Sequence, residues 1–293
     1  MNINNYIKRK IAEYINLLKC CGYIRNDKIL NEIYKKLNSI KVERIYNAPG
    51  DAVITGNCLK ICWENIEKNM KQKGNYYIDE VLFHEFSHVL NSFHNAIFGD
   101  DQFIISDYIQ KRMYGFTTIE LLEQSDELLY NQDPCFGIIL LDEFIAQSIS
   151  QKMVIEKFKS LDELSKKEYV YDNNFFEYKN RDYITKICEP PMMIKTSFAD
   201  YPEFDIFAQS FITKYGYNVE TFIAKSLNAN FVKDFIKSLS SEKIEQLYTD
   251  LCYLGMIQQR VYLLKVFTTI EDKKDPAYDP RKVHSVMCKS LKK

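Results

Sequence analysis

Three side chains within five residues have the types and spacing to bind a metal ion and activate a water molecule. His84, Glu85 and His88 lie in a run, 77–94, that contains no glycine or proline. Apolar residues recur in this run at helical spacing, so it is predicted to form a helix. Two histidines four residues apart lie on one face of a helix, and both rings can reach one metal ion. Glu85 then stands beside the metal, where a carboxylate can take a proton from an activated water.

The choice of a third ligand depends on where this helix ends, because a catalytic zinc site holds three protein ligands and one open position. His94 extends the pattern to His-Glu-x-x-His-x-x-Asn-x-x-His. This resembles the metzincin pattern, in which a glycine at the place of Asn91 ends the helix and turns the third histidine toward the metal. The apolar spacing instead continues through Asn91, and Gly99 is the expected helix end. His94 would then lie about 80° away from His84 around the helix axis and could not share its metal.

The second candidate for the third ligand is Glu143, in a helix predicted at 137–158. A histidine pair followed tens of residues later by a Glu-x-x-Ala helix resembles the gluzincins, the thermolysin-like clan of zincin metallopeptidases. The resemblance implies that His84, His88 and Glu143 bind a Zn²⁺ ion and that Glu85 acts as the general base.

This resemblance covers two short segments within residues 80–150, and the chain departs from it at one place. Small Ala146 would let the glutamate helix approach the histidine helix closely. Gln147, however, stands where thermolysin relatives carry an aspartate that orients a ligand histidine. Gln147 itself, Asp142 or a backbone carbonyl would have to provide that support. A purely structural interpretation of Glu143 stays open, as a carboxylate in the first turn of its helix that the helix dipole favours.

A competing class of metal protein can be weighed on the same residues. Glu85-x-x-His88 matches one element of the four-helix di-iron carboxylate proteins, which need a second Glu-x-x-His. The one histidine outside the motif region is His284, and the residue three positions before it is Arg281. The pattern therefore favours a single metal ion over a di-iron centre.

The elements around the motif predict an α+β, mostly helical fold: a zincin-like catalytic domain with a small antiparallel sheet before the active-site helix and a helical C-terminal part. Strands are predicted at 42–46, 52–55 and 58–62, with Gly56-Asn57 as a two-residue hairpin turn. An edge strand there could pair with an extended substrate backbone, or the hairpin could be purely structural. Further helices are predicted at 3–20, 27–37, 103–113, 117–130, 137–158, 203–215, 218–226, 230–239 and 241–271.

The domain organisation is predicted to be simple. A single domain at 1–271 contains the sheet and active-site helix, at about 40–100, and a helical subdomain at about 101–271. The stretch 169–202 is predicted to be irregular, since it is rich in aromatic residues and asparagine and contains two adjacent prolines. A polar tail is predicted at 272–293.

Composition limits the partners that can be expected. The formal net charge of −1 gives no electrostatic case for nucleic acid or an anionic membrane. No apolar run approaches the roughly 18–20 residues that span a bilayer, and no signal-peptide pattern is found, so we expect a soluble, cytoplasmic protein. The eight cysteines form no Cys-x-x-Cys pair, and buried free thiols are expected rather than disulfides or a cysteine-zinc site.

Together these patterns predict a zinc-dependent peptidase whose partner is a peptide or protein substrate. Zincins usually add a residue that stabilises the oxyanion, and Tyr201 is one candidate among the 21 tyrosines. The alternative from a different class is a zincin-fold binding or regulatory protein with little turnover. Such a protein would not need a general base, so the presence of Glu85 favours the enzyme. The sequence predicts neither the substrate nor the oligomeric state.

Overall fold

The computed structural model describes residues 3–48, 50–98, 134–171 and 203–255. In these ranges the protein is mostly helical and contains one three-stranded sheet, as the sequence predicts. No helix in the described ranges is long and apolar enough to cross a lipid bilayer.

The described elements follow one another in a fixed order. They are α1 (Ile3–Cys20), α2 (Asp27–Asn38), β1 (Lys41–Arg44), β2 (Ala52–Thr55), β3 (Cys58–Ile61), α3 (Trp63–Lys73), α4 (Tyr76–Leu90), α5 (Ser92–Phe98), α6 (Cys135–Ser160), α7 (Glu163–Tyr169), α8 (Glu203–Lys214), α9 (Val219–Ser226), α10 (Phe231–Ser238) and α11 (241–255). Two compact units are formed, Met1–Asp101 with Asp142–Val232, and Gln102–Leu141 with Lys233–Lys293. The sheet and all residues discussed below for their chemistry belong to the first unit.

The sheet is mixed, which corrects the prediction of an antiparallel sheet. The strand order is β1-β3-β2, with β3 antiparallel to β2 and parallel to β1. β3 lies at the centre of the sheet, where its Leu59 and Ile61 are fully buried. Ile54 of β2 belongs to the same buried face. The predicted turn is confirmed, since Thr55 pairs with Cys58 across two residues. Gly56 has a positive φ of 56°, as the first position of a type II′ turn requires.

Helix α1 packs against α4 and fixes its orientation. Tyr14 of α1 is fully buried, and its ring lies 5.6 Å from that of Phe83 and 5.5 Å from that of Phe86. Its hydroxyl also hydrogen-bonds Ser87 at 2.9 Å, so the polar tip of the buried ring has a partner. These contacts fix the rotation of α4 about its axis and so decide which of its side chains face the rest of the unit.

Gly74, between α3 and α4, allows a close approach of two backbone segments. Its φ is +114°, and a Cβ placed there would lie 2.4 Å from the carbonyl oxygen of Tyr169. The neighbouring Asn75 donates its N–H to the carbonyl of Glu168 at 3.3 Å. Only glycine fits this position, because both the left-handed backbone and the nearby carbonyl exclude a side chain.

The predicted continuation of the motif helix through Asn91 is wrong. α4 ends at Leu90, and Asn91 has an extended backbone with φ −69° and ψ 125°. The Asn91 side chain accepts a hydrogen bond from the N–H of Phe93 at 3.1 Å, which is the N-cap contact of the following helix α5. The apolar spacing misleads here because α4 and α5 both bury apolar residues, so their periods join across the break.

The remaining element predictions divide into three groups. The helices predicted at 3–20, 27–37, 137–158, 203–215, 218–226 and 230–239 are confirmed with small shifts at their ends. Helices α3 and α7 were not predicted. The segments 103–113, 117–130, most of 169–202 and the tail at 272–293 lie outside the described residues, so the single-domain boundary at 271 stays a prediction.

The cysteines are only partly as expected. Cys20, Cys21, Cys58 and Cys62 are free thiols, but Cys62 alone among them is buried, and Cys20 is exposed. Burial raises the pKa of the Cys21 thiol to about 12, so this thiol stays protonated and unreactive near neutral pH.

Candidate metal centre

Donor atoms of three side chains from α4 and α6 converge on one point. The Nε2 atoms of His84 and His88 are 3.0 Å apart. Nε2 of His84 lies 3.2 Å from one carboxylate oxygen of Glu143, and Nε2 of His88 lies 3.7 Å from the other. Ligands about 2.1 Å from a tetrahedral zinc ion are separated by about 3.4 Å. The spacing therefore suits one ion at the centre of the three donors.

Glu143 does not lie in the first turn of its helix. It is the ninth residue of α6, which begins at Cys135, and the helix dipole acts mainly within the first turn. The structural interpretation of this carboxylate as a helix-end charge therefore does not apply. What brings it to the histidines is the approach of α6 to α4, where the hydroxyl of Ser150 donates to the carbonyl of Glu80 at 2.6 Å.

Asp142 supports His88 from the side away from the three donors. Its Oδ2 lies 3.0 Å from Nδ1 of His88, while Nε2 of the same ring faces Glu143. The contact has ion-pair distance without hydrogen-bond geometry, and the nearby carboxylate favours a proton on Nδ1, which leaves the lone pair of Nε2 available to a metal ion. Asp142, the residue before Glu143, is thus the group that can orient a ligand histidine, a role for which Gln147 was also a candidate. Gln147 instead donates to Glu80 at 3.1 Å.

The helix break at Asn91 brings His94 to the same carboxylate. Nδ1 of His94 lies 2.8 Å from Oδ2 of Asp142, and the rings of His94 and His88 are 5.1 Å apart. Asn91 donates to the other oxygen of Asp142 at 2.7 Å. His94 is therefore near the site, contrary to the expectation from a continuous helix, but it contacts Asp142 rather than the three converging donors.

The charges around His88 favour a positive charge at this point. Burial opposes a proton on His88, but the carboxylates of Asp142 and Glu143 outweigh it and raise the pKa to about 10. Burial also disfavours the anion of Asp142, yet His88 and His94 lower its pKa to about 2. The site thus attracts a cation, either as protons on the imidazoles or as a metal ion in their place.

A metal ion also accounts for the two facing Nε2 atoms. At 3.0 Å, one of them must carry a proton or both must share a cation, because two lone pairs at this distance repel each other. Nδ1 of His84 is buried and has no hydrogen-bond partner among the described residues, so no neighbour there sets the tautomer of this ring. A metal ion on Nε2 would set it by leaving the proton on Nδ1. The residues present fit a zinc ion.

Glu85 lies next to the ligand histidines but is not one of the converging donors. Its side chain is buried, and its Oε2 accepts a hydrogen bond of 2.8 Å from the backbone N–H of Ile54 in strand β2. Burial raises the pKa of Glu85, and His84 and His88 offset part of this rise. A carboxylate with a raised pKa accepts a proton more readily, as a general base must.

Most residues singled out from the sequence therefore lie together. His84, His88 and Glu143 form one group, with Glu85 beside it and Asp142 behind it. Sequence reasoning missed the contact of His94 with Asp142 and the amide of Ile54. The contact of His94 could have been found from Asn91, because asparagine is a preferred N-cap and so indicates a helix break before His94. Tyr201, the candidate for stabilising an oxyanion, lies outside the described residues.

Comparisons with known proteins add no family to this picture. No protein-family model, curated protein or solved structure matches the chain. The resemblance to the gluzincins therefore stays a prediction from the residues of the motif.

Proposed function

We propose that the protein is a zinc-dependent peptidase that hydrolyses peptide bonds of a peptide or protein substrate. The observation that carries this proposal is the convergence of His84, His88 and Glu143 on one point, with a buried carboxylate, Glu85, adjacent to it. A metal-binding scaffold needs the first feature alone. The second feature favours an enzyme over a binding protein, because a carboxylate beside the metal site can act as a general base, which a metal-binding scaffold does not need.

Each residue has a definite role in this proposal. His84, His88 and Glu143 would hold the zinc ion, with Asp142 fixing the orientation of His88. A bound zinc ion supplies a water of lowered pKa and polarises the scissile carbonyl. Glu85 would take the proton of the attacking water and pass it to the leaving amine nitrogen. The outer edge of β2, where Glu85 takes the N–H of Ile54, leaves other outward backbone groups along which an extended peptide could lie.

The first test is the metal content of the purified protein by elemental analysis. We expect about one zinc per chain in the wild type, loss of most of it in Glu143→Ala, and retention in the matched control His94→Ala. The reverse pattern would make His94 the third ligand. Absence of zinc from the wild type, also after incubation with zinc, would contradict the proposal.

The second test separates the enzyme from a binding protein of the same fold. A library of fluorogenic peptides is incubated with the zinc-loaded wild type and with Glu85→Gln. We expect the variant to keep its zinc and to lose hydrolysis by about 10³-fold, which is the usual contribution of a general base. Equal rates in the two proteins, or no hydrolysis by a zinc-loaded wild type, would favour the binding protein.

A further inference from the structure

The outer edge of strand β2 presents two residues whose backbone groups do not pair with β3. Cys62 donates its N–H to the carbonyl of Asp51 at 2.8 Å, which makes position 51 a hydrogen-bonded one. In an antiparallel pair such positions alternate with positions whose backbone groups point away from the partner. Ala52 and Ile54 therefore direct their N–H and C=O groups outward.

The N–H of Ile54 is taken up by the carboxylate of Glu85, at 2.8 Å. Ile54 is a fixed donor, because its side chain is buried and its strand pairs with β3 on the other side. Hydrogen bonds from a backbone N–H to an ionised carboxylate are stronger than those between neutral groups. One oxygen of Glu85 is thus held by a rigid element, and the other is left for a different partner.

We propose that the amide of Ile54 is a positioning group for Glu85, which holds Oε2 so that Oε1 faces the attacking water. This inference rests on the proposed function, in which Glu85 is the general base. A glutamate side chain otherwise loses rotamer freedom when it reacts, and fixing it beforehand removes that loss from the reaction barrier. The edge strand would then serve catalysis as well as any pairing with substrate.

The contact itself can be tested without any activity. Amide hydrogen exchange of Ile54 is measured by NMR in the full chain as purified, for the wild type, Glu85→Ala and Glu85→Gln. We expect exchange to be about tenfold faster or more in Glu85→Ala and near the wild-type rate in Glu85→Gln, whose amide oxygen still accepts the bond. Unchanged exchange in Glu85→Ala would overturn the proposal.

The role in catalysis is tested with two proline substitutions on the same edge. Ile54→Pro removes the N–H that Glu85 accepts, whereas the matched control Ala52→Pro removes an outward N–H that Glu85 does not use. Proline is tolerated at edge positions whose N–H faces away from the sheet. We expect zinc content to be unchanged in both variants and kcat to fall about tenfold or more in Ile54→Pro with KM nearly constant. Ala52→Pro, whose outward N–H lies on the edge proposed to pair with substrate, should change KM rather than kcat.

The outcomes separate this inference from the proposed function. A rise in KM with unchanged kcat in Ile54→Pro would overturn the inference, because the amide would then bind substrate rather than position Glu85. Equal losses in the two proline variants would overturn it as well. If the wild type has no activity, the proposed function fails, while the exchange experiment still decides whether Ile54 holds Glu85. Ile54→Val, which keeps the N–H, should behave as the wild type in every assay.

Discussion

Helix α4 and its neighbours carry two groups of charged side chains, each around a buried aspartate, that reach neutrality in different ways. In the first group, which we term the Asp79 cluster, Asp79 and Glu13 both contact Lys10 and Lys157. The hydroxyl of Tyr169 donates to Asp79 at 2.9 Å. Two carboxylates face two ammonium groups, so the protein neutralises this cluster with its own atoms.

The second group pairs its carboxylates with imidazoles and, among the described residues, with no lysine or arginine. Glu85, Asp142 and Glu143 lie beside the imidazoles of His84, His88 and His94, which become cationic only by taking up a proton or a metal ion. The difference between the two groups teaches how to distinguish a structural cluster from a binding site. A cluster with balanced charge is complete within the fold, whereas an unbalanced one is completed by a cation from outside.

The largest effect on stability is expected at the balanced cluster. Asp79→Asn removes the buried carboxylate and leaves the partly buried Lys10 and Lys157 with Glu13 as their remaining carboxylate in the cluster. Breaking a buried pair by removing one partner costs roughly 3 kcal/mol or more. We expect the free energy of unfolding in urea to fall by about that amount, with zinc content unchanged.

The exposed pair Lys19–Asp27 provides the control for this measurement. Both side chains are more than half exposed, and exposed ion pairs contribute little. Asp27→Asn should therefore leave the unfolding midpoint where it is in the wild type. If Asp79→Asn behaved in the same way, the Asp79 cluster would not be a stabilising element.

The next largest effect concerns removal of the metal. A ligand present at about 100 times its Kd stabilises the folded state by about 2.7 kcal/mol. A zinc chelator should therefore lower the free energy of unfolding of the wild type by about 2–3 kcal/mol, and have little effect on Glu143→Ala. The chelator should act on Asp79→Asn as strongly as on the wild type, because the two groups are independent. A chelator effect that depends on Asp79 would contradict the separation of the two groups.

The smallest effect is a pH dependence of the Asp79 cluster. Burial, with the nearby Asp79, raises the pKa of Tyr169 well above its usual value of 10.0. Above about pH 10 the unfolded chain loses this proton while the folded protein keeps it, so stability falls as pH rises. In Tyr169→Phe the fall in unfolding free energy between pH 9 and pH 11 should be smaller by about 1 kcal/mol. An equal slope in both proteins would show that this hydroxyl is not buried in the neutral form.

Lys10 changes stability in the same direction. Burial opposes its charge, but Asp79 and Glu13 outweigh burial and raise the pKa of the ammonium group. Its contribution is fully present below the ordinary lysine pKa and is lost as pH rises through the raised value. The alkaline fall in stability should therefore persist in part in Tyr169→Phe.

Much of the site was accessible from the sequence because its signals are local. The spacing of His84 and His88 is a property of one helix, and Glu143 stands in a second helix with clear periodicity. The geometry that makes them a group depends on how α6 meets α4, which periodicity does not encode. The prediction of Glu143 came from the order of motifs in a known clan, and its proximity to the histidines is a separate observation.

The wrong predictions concern features that depend on contacts between elements rather than on local sequence. The direction of β1 against β3 depends on which strand takes the centre of the sheet, and four-residue strands carry no signal of direction. The break at Asn91 was hidden by a continuous apolar pattern, and only the cap contact to Phe93 reveals it. The amide of Ile54 could not be found from residue types at all, because every residue except proline has one.

Asn91 joins three tasks in one side chain, since it ends α4, caps α5 and holds the carboxylate of Asp142. Substitutions at positions 91 and 142 are therefore expected to depend on each other. A relative that loses the asparagine would leave the buried aspartate short of a donor, and one that loses the aspartate would leave the amide without its acceptor. We expect the two positions to covary in any lineage of this protein, and a pair that changes together would identify relatives too distant for overall similarity to detect.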